Sequence, residues 1–74
     1  FPNPTEGRVN LNWGEIGDGQ IRIISPDGKE LKSIAFSHTE GISLNTDGLP
    51  KGCCTVKRLN KEGQVMNIEK LIIK

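Results

Sequence analysis

Apolar and polar residues alternate along this chain in short bursts, and glycine-containing turns separate the bursts. At residues 8–13, Val9, Leu11 and Trp13 fall on one side of an extended strand, with Arg8, Asn10 and Asn12 on the other. Residues 14–19 hold three glycines and read as a loop. Residues 20–25 form the next strand, and Ser25, Pro26, Asp27 and Gly28 suit a type I turn, with proline second and glycine fourth. The return strand spans 29–36, polar at first and apolar at Ile34, Ala35 and Phe36, before a loop at 37–40. Residues 41–45 make a short strand with Ile42 and Leu44 inward, and 46–52 form a connection punctuated by Gly48, Pro50 and Gly52. A strand at 53–59, a turn at 60–63 and a final strand at 64–73, expected to be the longest, complete the pattern.

No segment carries the period of a helix. Six strands at intervals of roughly 8 to 12 residues predict an all-β, immunoglobulin-like antiparallel sandwich. Residues 1–5 add a seventh, extended segment at an edge, where Pro2 and Pro4 are tolerated. The 74 residues make one domain. A chain of this size buries only roughly 60% of its unfolded surface, so its expected stability is about 3 to 5 kcal/mol.

Charge changes the picture little. Residues 1–49 carry four Lys/Arg against seven Asp/Glu, and residues 50–74 six against two, so minus three is followed by plus four and the net is +1. The basic third lacks interleaved aromatics or an arginine cluster, which argues against nucleic acid and for solvated strand faces. Cys53 and Cys54 are adjacent and point to opposite faces of a strand, so two free thiols are expected, one inward and one outward. No apolar run is long enough to span a bilayer, and no leader pattern opens the chain, so any N-terminal export signal is expected upstream or not at all.

Candidate chemistry is sparse. His38 is the single histidine and sits in an expected loop without the partner network that a nucleophilic site needs. One histidine and two neighbouring thiols lack the spacing for a tetrahedral metal site, and the Asp27-Gly28 and Asp47-Gly48 pairs lack the alternating oxygens of a calcium loop. The expectation is a protein with no catalytic residue, no cofactor and no metal. Trp13 is the one candidate for stacking on a sugar, but its alternation with Val9 and Leu11 predicts a core or half-buried ring.

Four pieces of the chain stand in a recognisable order. Pro2, Asn3, Pro4, Thr5, Glu6, Gly7, Arg8 and Val9 form a proline-rich opening, and residues 21–32 a hairpin turning at Asp27, Gly28 and Lys29. Leu49, Pro50, Lys51 and Gly52 precede Cys53 and Cys54, and Lys70, Leu71, Ile72, Ile73 and Lys74 place lysines around an aliphatic core. Together they closely resemble, over the whole length, the type A C-terminal sorting domain of the type IX, or Por, secretion system of Bacteroidetes. The family motif falls on Pro2, Asn3, Pro4, Gly7, Gly28, Leu49, Pro50, Gly52 and Cys54. Cys54 is the departure, because the family usually has an aromatic there.

The resemblance implies a targeting module, not an enzyme. It implies a cargo domain upstream, transit of the periplasm, and export by an outer-membrane translocon with its shuttle components. A sortase-like protease then removes the domain as cargo is anchored at the cell surface. Lys70, Leu71, Ile72, Ile73 and Lys74 are the expected signal, on a last strand whose open edge a partner can extend and whose two lysines share a face. The same edge allows weak self-association. The alternative is a surface binding module for glycan or protein.

Overall fold

Ser25 and Gly28 close the first hairpin, and the architecture follows from how long that hairpin is. Gly28 adopts φ 89° and donates its N–H to the Ser25 carbonyl at 2.9 Å. The Ser25 hydroxyl donates to the Asp27 carboxylate and accepts from the Lys29 N–H, so the turn satisfies its own polar groups. The computed structural model describes residues 7–73 and, as backbone, residues 2–5. It contains five strands: β1 (Pro2–Thr5), β2 (Arg8–Ile24), β3 (Glu30–Asn45), β4 (Gly52–Asn60) and β5 (Val65–Ile73). All pairings are antiparallel, and no helix occurs among the described residues.

β2 is the spine of the sheet. Its first part lies between β1 and the end of β3, with Val9 opposite both Pro4 and Leu44. Its last part lies between the start of β3 and β4, with Ile21 opposite both Ile34 and Arg58. β4 then pairs with β5 through a second tight turn, where Gly63 at φ 84° donates to the Asn60 carbonyl at 3.0 Å. The inner faces of both parts feed one core. Val9, Leu11, Ile21, Ile23, Phe36, Leu44, Cys54, Val56, Leu71 and Ile73 are buried together, with Trp13 and Ile42 packed against them. The Cα envelope measures 30 × 25 × 16 Å, thicker than a flat sheet, because the sheet bends over its own apolar face. Each buried aliphatic side chain contributes about 1.5 to 3 kcal/mol relative to exposure, which makes that bend favourable.

The strand count corrects the expectation from sequence. In place of six or seven strands in an immunoglobulin-like sandwich, there are five strands in one sheet. The supposed loops at 14–19 and 37–40 lie inside β2 and β3, so four expected strands merge into two. The physical reason is a self-satisfied, bulged ladder. Gly17 still pairs with Thr39, while the Asp18 carboxylate accepts the His38 backbone N–H at 2.7 Å and the Ser37 hydroxyl at 3.4 Å. Register shifts on both sides of Gly17 turn the sheet through its corner without ending it. The final strand is also not the longest, since β5 has nine residues and β2 has 17. The expected edge segment at 1–5 is present as β1, paired with β2, with Phe1 outside the described residues.

Glycine is required where the bend closes. A Cβ on Gly19 would strike the Leu59 backbone carbonyl and lie 3.1 Å from Phe36 Cζ, because β3 and β4 both converge on β2 there. Gly17, two residues away, has open space around the same position. Gly19→Ala is therefore expected to lower stability by about 2 kcal/mol or more, against a change within about 0.5 kcal/mol for Gly17→Ala. Urea midpoints of the two variants test this, and equal midpoints would contradict the close approach.

Candidate functional site

β5 combines two surfaces in one strand. It pairs with β4 and with no other strand among the described residues, which leaves a row of backbone N–H and C=O groups open along its outer edge. Alternation turns Leu71 and Ile73 into the core, at 2% and 8% exposure. Met66, Ile68, Lys70 and Ile72 fall on the opposite face, where Ile68 and Ile72 are about three-fifths exposed, at 59% and 61%. Lys70 lies opposite Thr55 and Ile72 opposite Cys53, so the exposed row continues onto β4. Of the five residues expected to form the signal, Lys70 and Ile72 are displayed and Leu71 and Ile73 are structural. Lys74 lies outside the described residues.

The motif residues distribute over the frame. Pro2, Asn3 and Pro4 lie in β1, opposite Leu11, Asn10 and Val9. Gly7 makes the turn into β2 at φ 72°, where its carbonyl accepts the Thr46 N–H at 3.2 Å. Gly28 closes the first hairpin, and Gly52 starts β4 at φ 119°, a torsion that side-chain-bearing residues avoid. Leu49 packs against the core, Pro50 is exposed in the connection, and Cys54 is buried at 3% opposite Leu71. Gly7, Gly28 and Gly52 set turns, β1 forms an edge, and Leu49 and Cys54 make core contacts.

A cluster that the alternation did not reveal ties the bend to β5. Arg58 is buried at 7%, with its guanidinium carbon 5.2 Å from the centre of the Trp13 ring. Its Nε donates to Asn67 Oδ1 on β5 at 2.6 Å, and its Nη2 lies 3.5 Å from the exposed Glu15 carboxylate. Trp13 tilts at 42° to Phe36 with ring centroids 4.5 Å apart. The ring is half-buried, as its alternation predicted, and contacts both the Arg58 guanidinium and the Phe36 ring. The signal available in sequence was weak: Arg58 stands at an inward position of β4, a placement that alternation alone treats as an exception.

The remaining chemical groups are dispersed. His38 takes φ 49° in the bulge, and its backbone N–H is the main reason that the Asp18 carboxyl sits below the usual carboxylate range, with Ser37 adding to it. Both cysteines are free, Cys53 exposed and Cys54 buried, matching the expected split across the strand. Burial, and secondarily the neighbouring Cys53, pushes the Cys54 thiol up. Among the described residues, no group of three or more His, Cys, Asp and Glu side chains is placed to hold a metal ion.

A family model described as the secretion system C-terminal sorting domain matches residues 1–74. The chain belongs to that family. Neither the curated proteins nor the solved structures yielded a match. The sorting domain is thus the C-terminal secretion signal of type IX secretion cargo, and it works with that system's machinery on a route through the periplasm to the outer membrane and cell surface.

Two outcomes follow for the sorting domain. Arg58→Ala is expected to cost about 2 to 4 kcal/mol, because it strips the Trp13 ring and leaves Asn67 unpaired, whereas Glu15→Gln costs less than about 1 kcal/mol at its exposed position; chemical denaturation of both reads the difference. Iodoacetamide should modify Cys53 in the native domain and Cys54 only on unfolding. The folded state holds the Cys54 proton more tightly than the unfolded chain, so that stability is complete below the ordinary thiol range near about pH 8.5 and is lost as pH rises through and beyond it. Cys54→Ala should remove this component of the alkaline decline in midpoint.

Proposed function

We propose that residues 1–74 form one sorting module joined to cargo that precedes Phe1, and that the secretion machinery reads this module through β5. Lys70 and Ile72 supply the displayed chemistry, Leu71 and Ile73 hold the strand in place, and Lys74 belongs to the same motif. Pro2, Asn3, Pro4, Gly7, Gly28, Leu49, Pro50, Gly52 and Cys54 build the frame that presents the strand. The observation that carries this reading is the open edge of β5, with exposed Ile68 and Ile72 flanking Lys70 on one face. An edge of that kind accepts an added strand, with main-chain hydrogen bonds for affinity and alternate side chains for specificity.

In this reading the module passes from shuttle components to the outer-membrane translocon, and a sortase-like protease separates it from cargo that remains at the cell surface. The module itself is non-catalytic. Contact of Trp13 with both Arg58 and Phe36 weighs against a glycan-binding alternative.

The test fuses residues 1–74 to a periplasmic reporter in a host that carries the secretion system. Removing residues 70–74 also removes core, because Leu71 and Ile73 are buried. The informative variant is therefore Lys70→Ala with Ile72→Ser, both at exposed positions. Surface delivery should fall about ten-fold or more, the loss of roughly 1.4 kcal/mol of recognition, with little change in the urea midpoint. Native delivery by this variant would remove β5 as the read-out.

A further inference from the structure

The unfilled edge of β5 carries two adjacent charges of opposite sign, and their placement defines what fits beside them. Glu69 lies opposite Val56 and Lys70 opposite Thr55, so consecutive positions send an anion to one face and a cation to the other. Both residues are exposed, and neither forms an ion pair among the described residues. Ile68 and Ile72 flank Lys70 on its face, and Lys57, opposite Ile68, is its diagonal neighbour. That face therefore holds two unpaired cations close together beside bare aliphatic side chains.

A second copy of β5 added antiparallel cannot complement this edge. Residues directly opposite in a ladder share a face, and Glu69 is the only acidic residue of β5. In an antiparallel ladder Glu69 of one copy can therefore never stand opposite Lys70 of another, in any register. The antiparallel register with the fullest overlap sets Glu69 against Glu69, and a shift by one residue on each strand sets Lys70 against Lys70. Like charges placed directly opposite are destabilising, so the strand disfavours antiparallel addition of its own kind.

We propose that the open edge of β5 is completed antiparallel by a strand from a partner protein, which carries an acidic residue facing Lys70, a basic residue next to it facing Glu69, and aliphatic residues facing Ile68 and Ile72. The proposal rests on β5 being the docking strand and specifies the chemistry of its partner. Antiparallel addition extends a sheet whose pairings are all antiparallel. The aliphatic contacts supply burial, and the two charges set face and register together, since a slip of one residue creates one like-charge pair and leaves the other charge opposite an aliphatic side chain.

The probe is a synthetic peptide matching the nine residues of β5 in length. It is built of alternating Thr and Val, with an Asp-Lys pair at the positions facing Lys70 and Glu69. A second peptide carries Lys-Asp in their place. Titrated at low salt into the 74-residue chain and followed by amide chemical shifts of β5, the first should bind about ten-fold more tightly than the second. The double variant E69K/K70E should reverse the order. Equal affinity of the two peptides, absence of shifts with either at millimolar concentration, or β5-mediated dimerisation of the chain in preference to peptide binding overturns the proposal. Reporter delivery separates the two layers. If Lys70→Ala with Ile72→Ser stops delivery while E69K/K70E delivers normally, the charge code fails and the docking strand stands; if neither variant matters, both fail.

Discussion

The stacking of the Arg58 guanidinium on Trp13, with Phe36 against the other side of the cluster, is the contact on which the rest of this small sheet depends. Trp13 sits where β2 enters its bulged corner, Phe36 where β3 enters it from the other side, and Arg58 on β4. One aromatic cluster thus joins three strands at the point where the sheet turns. A buried cation is costly unless its surroundings compensate it. Here the ring face, the Asn67 side chain and the Glu15 carboxylate do so together. Without that compensation the corner would have to open, and Val9 and Leu11 would lose their place in the core with Val56 and Leu71.

The hydrogen bond from Arg58 to Asn67 carries the consequence outward. β5 has one strand neighbour, so its position depends on the β4 ladder, the Asn67 contact and the burial of Leu71 and Ile73. An edge strand of nine residues with three exposed aliphatic side chains on one face, Met66, Ile68 and Ile72, is an aggregation hazard that small domains ordinarily suppress. Lys70 in the middle of that row, and Glu69 beside it, are the charges that blunt self-pairing while leaving room for a complementary partner.

Much of the frame was legible in the sequence because local chemistry decided it. The Ser25 to Gly28 turn, the Asn60 to Gly63 turn and the inward positions of Val9, Leu11 and Leu44 follow from torsion preferences and alternation, which do not require knowledge of distant residues. The family motifs were legible for the same reason, as ordered local signatures. What failed was the middle of the long hairpin. Gly14, Gly17, Gly19 and Asp18 read as a loop because glycine and polarity usually end strands, yet the backbone continues since Asp18 finds its partners across the ladder in Ser37 and His38. The division of the terminal motif into displayed and buried members was also unread, since a run of Leu71, Ile72 and Ile73 is uniformly apolar and its two faces separate only once β4 lies beside it. Arg58 went unnoticed because its compensation comes from two distant places in the chain, Trp13 and Glu15 in β2 and Asn67 in β5.

The alternation along β5 has one more consequence. Ile72, which faces outward, sits between two residues that face inward, so the displayed pattern exists only while the domain behind it is intact. A chain that has not folded, or whose core has been damaged, scrambles the address along with the architecture. Presentation and structural integrity are thereby a single condition, and in the proposed role a reader that engaged β5 would inspect the soundness of the tail in the same act that recognised it.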